Sequence, residues 1–421
     1  MKTQITKQHT NIVATTMSGI QTENPEVTQR RRNQMPKTAI TLFTFHRRFL
    51  SAMLAFTVFV CLCEGLANAQ VRNMGGLTSF TVQDLHAKVD FVNAKAMPLP
   101  SSTLPPDSIQ ATIQALLAPV DLGPSGSSPG AQGTGIMSPV FLGTPAAEEN
   151  AITPLSPSPD DFGTNNHPFT TVRADLSGLN TNTAYPYRAA GKLFFNIGSF
   201  PYVCSASLIK PGIVVTAAHC VANYGHSQFY NSWQFAPGYR NGAAPFGVWT
   251  AYTVYILTAY YNGTDNCAQY GVICPDDVAV IVLNGTPGRT TGWFGYWYGG
   301  GFTNGLAQIT QLGYPNGLDY GAYMERNDSY GYINGSLSNN TIIGSNMNGG
   351  SSGGPWVENF GLASLLTGET NGSFPYQNVV VGVTSWDYTS NAPKEMGASP
   401  FTSGNIQFLV STMCSRYPGN C

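Results

Sequence analysis

Gly350-Ser351-Ser352-Gly353-Gly354-Pro355, near the end of a 421-residue chain, is the stretch on which the reading of the fold turns. A serine hydroxyl attacks a carbonyl only when a base takes its proton and its approach is uncrowded. Glycines on both sides of Ser352 supply that clearance and let the backbone turn tightly. In such a turn the N–H groups of Gly350 and Ser352 point together at a developing oxyanion. A chain with 46 glycines also makes plain glycine-serine loops, so the motif needs partners elsewhere.

The first partner is an imidazole. The histidines are His9, His46, His86, His167, His219 and His226, and the first four fall in segments read below as leader or prosegment. His219 follows Ile213-Val214-Val215-Thr216-Ala217-Ala218, a β-branched run ending in small residues, which reads as a buried strand meeting a tight corner. His226 reads as an ordinary loop position. The second partner is a buried carboxylate that orients the imidazole. Asp276 and Asp277 precede the apolar run Val278-Ala279-Val280-Ile281-Val282-Leu283. Asp277, next to the run, is expected to point inward, and Asp276 to be a solvated strand-capping acid.

Together the Thr216-Ala217-Ala218-His219-Cys220 run, the Asp277-Val278-Ala279 strand and the Gly350 to Pro355 loop resemble the chymotrypsin-like (trypsin-fold) serine peptidases, in that family's order of His, Asp, Ser. The resemblance covers roughly residues 185 to 421. It implies His219 as general base, Asp277 as its orienter and Ser352 as nucleophile, with the Gly350 and Ser352 N–H groups as the oxyanion hole. A competing frame, Gly349-Gly350-Ser351-Ser352-Gly353, fits the elbow of the α/β-hydrolases with Ser351 as nucleophile. That fold places its histidine after the serine, and no histidine follows Ser352 here.

The expected fold is all-β, with two antiparallel β-barrels at about 185–288 and 289–421 and a short C-terminal helix. Strands are expected at Gly191 to Phe195, Val203 to Ile209, Gly212 to Ala217, Trp249 to Leu257 and Asp277 to Leu283 in the first barrel. In the second they are expected at Gly292 to Tyr296, Ala307 to Gly313, Tyr330 to Ile333, Gly354 to Val357 and Val379 to Trp386. Ser403 to Cys414 has helical periodicity, with Ser403 as N-cap.

Upstream, residues 1–69 read as leader and secretory signal. His46-Arg47-Arg48, an apolar run from Phe49 to Cys63 and Ala67-Asn68-Ala69 follow the charged, apolar, small-residue order, with cleavage expected after Ala69. The run is short for a bilayer span, which favours cleavage over an anchor. Residues 70–172 read as prosegment and Pro/Ser/Gly-rich linker, in which Pro98 to Pro105, Pro124 to Pro129 and Pro154 to Pro159 are expected to form no regular element. A stalk or small binding module is the alternative for that segment. Arg173 is a candidate processing site, with the peptidase domain at 173–421.

Only 10% of residues are charged, the net charge is −2, and no basic cluster marks the C-terminal region, which excludes a nucleic-acid partner. Cys61 and Cys63 leave with the signal. Sequence proximity pairs the others as Cys204–Cys220, Cys267–Cys274 and Cys414–Cys421. The first pair also matches the family's bridge beside the catalytic histidine. Paired cysteines point to an oxidising compartment, hence an extracellular or periplasmic protein. Neither a Cys-x-x-Cys nor a His-Glu-x-x-His spacing occurs, so no metal and no cofactor are expected.

Within the family, Ser351 stands where digestive members keep an aspartate for the newly cut N-terminus, so that activation route is not implied. The bacterial glutamyl-endopeptidase branch is nearer, and Leu312-Gly313-Tyr314-Pro315 adds to the likeness. That branch places a histidine two residues before the tryptophan of the pocket-wall strand, where Gly382-Val383-Thr384-Ser385-Trp386-Asp387 has Thr384. Glutamate specificity is therefore not implied. The primary pocket is expected between Asn346 to Gly349 and Ser385 to Asp387. Asn346 lies where trypsin-like members keep an aspartate. Asp387 replaces a small residue, and either narrows the pocket or attracts a basic side chain. Ser385 to Asp387 offers backbone groups to an extended substrate. The expectation is a secreted, monomeric serine endopeptidase acting on proteins or peptides, held by its own prosegment and free of the membrane after signal cleavage. An inactive binding or adhesion relative and an esterase using the same triad are the alternatives.

Overall fold

β-Branched runs bounded by Gly, Pro and Asn become strands because their side chains pack on a pleated, buried surface. In the computed structural model, which describes residues 71–105, 122–144, 167–175, 179–300, 306–362, 376–389 and 394–421, these runs close two rings. The leader and signal expected at residues 1–69 lie outside the described residues.

The first ring comprises β1 (Ala190–Ile197), β2 (Phe200–Lys210), β3 (Ile213–Thr216), β4 (Asn231–Pro237), β5 (Trp249–Leu257) and β6 (Ala279–Leu283). Its order is β5-β4-β1-β2-β3-β6, and β6 pairs back onto β5. The second comprises β7 (Leu306–Gly313), β8 (Glu325–Asn334), β9 (Asn340–Gly344), β10 (Pro355–Glu358), β11 (Val379–Tyr388) and β12 (Glu395–Pro400). It runs β10-β7-β8-β9-β12-β11 and closes where β10 meets β11. Closure satisfies edges that would otherwise stay open. Trp233, Phe194 and Phe235 fill the first interior, and Trp356, Ile309 and Ile343 the second.

The all-β, two-barrel expectation therefore holds, with shifts. β4, β9 and β12 had no sequence counterpart: the Trp233 and Phe235 alternation in Asn231–Pro237 is a strand signal that was passed over, whereas Asn340–Gly344 and Glu395–Pro400 are short and carry few large apolar side chains. The strand expected from Gly292 is Gly295–Tyr298, which joins β11 in parallel. The C-terminal helix α1 (Phe408–Arg416) follows a wide turn at Ser403–Gln407. Its cap is Thr402 rather than Ser403: Thr402 Oγ1 accepts the Asn405 N–H at 3.1 Å, and Asn405 Oδ1 accepts the Thr402 N–H at 2.8 Å. The three disulfides join the pairs expected from proximity.

The upstream segment is less bare than its composition suggested. Leu77–Thr81 pairs with β5, Gly126–Ser128 with Gly295–Tyr298, and Val140–Phe141 with Ala243–Ala244. Ser101–Ser102 pairs with β11. Two of these pieces lie in proline-rich stretches expected to form nothing regular. They contain no proline themselves, so the donors lost at Pro98, Pro100, Pro124 and Pro129 fall outside the pairing. Phe169–Arg173 pairs with β8 and straddles the boundary drawn at 172/173. Arg173, the candidate processing site, is thus held within a paired strand, with its guanidinium on Asp319.

Glu325, opposite Arg173 in that pairing, has its carboxyl pushed up to about 8 by burial, reinforced by the hydrogen bond and charge of Asp319. A folded-state pKa above the ordinary value means its stabilising contribution is complete at low pH and is lost as pH rises through about 8. Glu325→Gln keeps a donor toward Asp319 but no longer titrates. Melting temperatures should show the variant gaining roughly 3–6 °C on wild type between about pH 5 and pH 8. Parallel pH curves for the two proteins would contradict this account.

Candidate active site

β3 and β6 pair with Thr216 opposite Ala279. His219 lies just beyond Thr216 and Asp277 just before Ala279, so the register brings both to one barrel end. The corner at Ala218–Cys220 then turns the imidazole inward. Asp277 Oδ1 accepts the His219 backbone N–H at 2.8 Å, and Asp277 Oδ2 lies 2.8 Å from His219 Nδ1. Ser385 Oγ donates to the same Oδ2 at 2.6 Å. Both His219 and Asp277 are buried. A carboxylate facing Nδ1 assigns the proton to that nitrogen and leaves the Nε2 lone pair open. His219 Nε2 is buried and makes no hydrogen bond.

Ser352 is carried to this corner by its backbone. Its carbonyl accepts the Ser205 N–H at 2.8 Å, and the neighbouring Cys204 is bridged to Cys220, which adjoins His219. Gly353 (φ +75°) packs so closely that a Cβ would lie 1.9 Å from Thr216 Oγ1, and Gly350 (φ +92°) would meet the Tyr314 carbonyl at 2.5 Å. Only glycine fits either position. Ser351 donates its hydroxyl to the Asn348 carbonyl at 2.6 Å, so the rival elbow serine is committed. Ser352 Oγ, by contrast, is buried without a hydrogen bond. The Gly350 N–H, expected to face a substrate oxyanion, donates to the Met97 carbonyl at 2.9 Å.

The expected pocket residues divide. Ser385 turns its hydroxyl to Asp277, a role the sequence did not show. Thr384 is fully buried and its Oγ1 accepts from Gln311 Nε2 and Trp356 Nε1 at 2.9 and 3.0 Å, so its side chain is internal scaffold. The Trp386 indole is likewise internal, donating to Asn340 Oδ1 at 3.0 Å over Gly397. Asp387 remains at the cleft; burial pushes its carboxyl up to about 6, against the Ser101 hydrogen bond that lowers it. Asn346 is half-buried with an unpartnered Oδ1. Met347 and Met396, missed from sequence, pack together beside it. Asp276 is half-buried rather than solvated, its carboxyl raised to about 6 by burial, and Asp265 beside it is raised to about 7 by burial and by Asp276.

Two groups of potential metal ligands exist among the described residues, Cys204, His219 and Cys220, and Asp265, Cys267 and Cys274. All four cysteines are in disulfides and offer no thiolate. No helix among the described residues is long and apolar enough to cross a membrane.

Residues 180–403 match the family model for Trypsin. The chain is 30% identical over 167 residues to an extracellular metalloprotease of Bacillus subtilis, covering 39% of this chain and 47% of that protein. It is 28% identical over 223 residues to a glutamyl endopeptidase of Bacillus licheniformis, covering 53% and 65%. The chain thus spans about half to two thirds of the length of these relatives. A solved structure, the protease Anisep from Arthrobacter nicotinovorans, is 27% identical, with TM-score 0.43 over 54% of this chain and 96% of that one.

The Ser385 hydroxyl is a donor to a buried carboxylate, whose loss leaves part of that charge unmatched. Ser385→Ala should lower unfolding free energy by about 1–3 kcal/mol in urea titration. An unchanged midpoint would show that the Asp277 carboxylate does not depend on it.

Proposed function

The chain belongs to the trypsin family, and we propose that it is a secreted serine endopeptidase with Ser352 as nucleophile, His219 as general base and Asp277 as its orienter. The observation that carries this reading is the Asp277 carboxylate on His219 Nδ1, with Nε2 and Ser352 Oγ both left open. As Ser352 Oγ bonds to the substrate carbonyl carbon, its proton passes to His219 Nε2. The imidazolium so formed faces Asp277, whose charge stabilises it. The carbonyl oxygen becomes an oxyanion that the Ser352 N–H and, once the Met97 carbonyl has left it, the Gly350 N–H stabilise. Collapse breaks the C–N bond, and His219 returns the proton to the departing amine. Water then repeats the cycle on the acyl-enzyme, with His219 again as base, and frees Ser352.

Peptide chains are the substrates this mechanism suits, entering extended along the Asp387 edge of β11. The similarity to the glutamyl endopeptidase of Bacillus licheniformis supports a place near that branch. A glutamate preference is not part of the proposal, because the Thr384 hydroxyl is taken up by Gln311 and Trp356. Secretion and monomeric action are supported by the three disulfides and the self-contained pair of barrels. Residues 70–172 act as prosegment.

In the processed protein, Ser352→Ala should cut casein hydrolysis by at least about 10⁴-fold and abolish fluorophosphonate labelling, with the melting temperature retained. Near-normal hydrolysis by the variant would refute the assignment.

A further inference from the structure

Residues Lys95 to Ser102 run across the proposed catalytic cleft, from the first barrel to the second. Lys95–Ala96 pairs in parallel with Tyr202 and Val203 of β2, and the Met97 N–H donates to the Val203 carbonyl at 2.8 Å. The Met97 carbonyl then accepts the Gly350 N–H at 2.9 Å. Leu99, only 7% exposed, packs with Met347 and Met396 on the pocket side. The Pro100 carbonyl accepts the Asp387 N–H at 3.1 Å, and Ser101 Oγ donates to Asp387 Oδ1 at 2.5 Å. Ser101–Ser102 continues in parallel along Asp387 and Tyr388.

We propose that Lys95–Ser102 is a built-in competitive ligand of this cleft, which keeps Ser352 latent until the segment is displaced. The proposal rests on the reading of Ser352 as nucleophile. It names which atoms are blocked: the Gly350 donor, the Asp387 strand edge and the apolar wall of Met347 and Met396 are the groups an incoming peptide requires.

Three features make the segment a ligand rather than a substrate. The carbonyl at the Gly350 donor belongs to the Met97–Pro98 bond, whose leaving nitrogen is part of a proline ring that crowds the preceding residue. Pro98 and Pro100 fix φ on both sides of Leu99, so little chain entropy is lost on binding. The segment is also tethered, anchored upstream by Leu77–Thr81 on β5, which converts its binding into an intramolecular event at high effective concentration. A peptide in solution competes poorly with such a ligand.

The test uses the full, uncut chain. Hydrogen exchange in a Ser352→Ala background reads the contact without catalysis. Leu99→Asp forces a charge into the Met347–Met396 cluster. Protection of the Gly350 and Asp387 amides should then fall at least about tenfold, with β3 and β6 amides unchanged as the control for folding. With Ser352 restored and the chain shown intact by mass, fluorophosphonate should label Leu99→Asp at least about tenfold faster than wild type. Ser101→Ala should act in the same direction more weakly, and decides the matter should Leu99→Asp not fold. Unchanged protection and labelling in the folded variants would overturn the proposal. Lost protection with no labelling of any form, processed protein included, would instead overturn Ser352 as nucleophile, and latency with it, while leaving the contact standing.

Discussion

A carboxylate withdrawn from water must be matched by donors, and the centre of this molecule is arranged around how Asp277 is matched. Its partners are the backbone N–H and Nδ1 of His219 and the hydroxyl of Ser385. The first two come from the corner after β3, the third from β11 in the other barrel. One buried charge therefore links the two barrels and fixes the imidazole plane. Its acidic neighbours fit the same logic. Burial raises Asp265 to about 7 and Asp276 to about 6, so near neutrality these two carry less negative charge beside Asp277 than ordinary aspartates would.

Much of this was legible in the sequence, because the decisive residues sit in locally unusual patterns. A β-branched run ending in Ala-Ala-His-Cys leaves few structures besides a buried strand with a corner, and acids against an all-apolar strand demand a partner. The glycines around Ser352 proved necessary by contact, since Gly353 lies against Thr216 and Gly350 against Tyr314. The disulfides were legible because two of them close short loops and the third lies beside His219.

The failures share a cause: the partner lies far along the chain and leaves no local mark. Ser385 looks like a substrate-facing residue until Asp277, 108 positions earlier, is seen beneath its hydroxyl. Thr384 and Trp386 look like pocket walls until Gln311, Trp356 and Asn340 claim their polar atoms. β9 and β12 are strands by position in a closed ring rather than by composition. The upstream segment was hardest, because strand addition through backbone groups requires no particular side chains, and prolines flanking the paired residues disguise it. Its placement changes the picture of the centre from an open cleft to an occupied one.

The nuclear magnetic resonance signal of the His219 ring proton tests the central arrangement most directly. The account predicts a proton on Nδ1, shifted far downfield and slow to exchange, that disappears in Asp277→Asn. His167 Nδ1, 2.7 Å from buried Glu395, should give a comparable signal that persists in the variant. A His219 proton found on Nε2, or a downfield signal indifferent to Asp277→Asn, would contradict it.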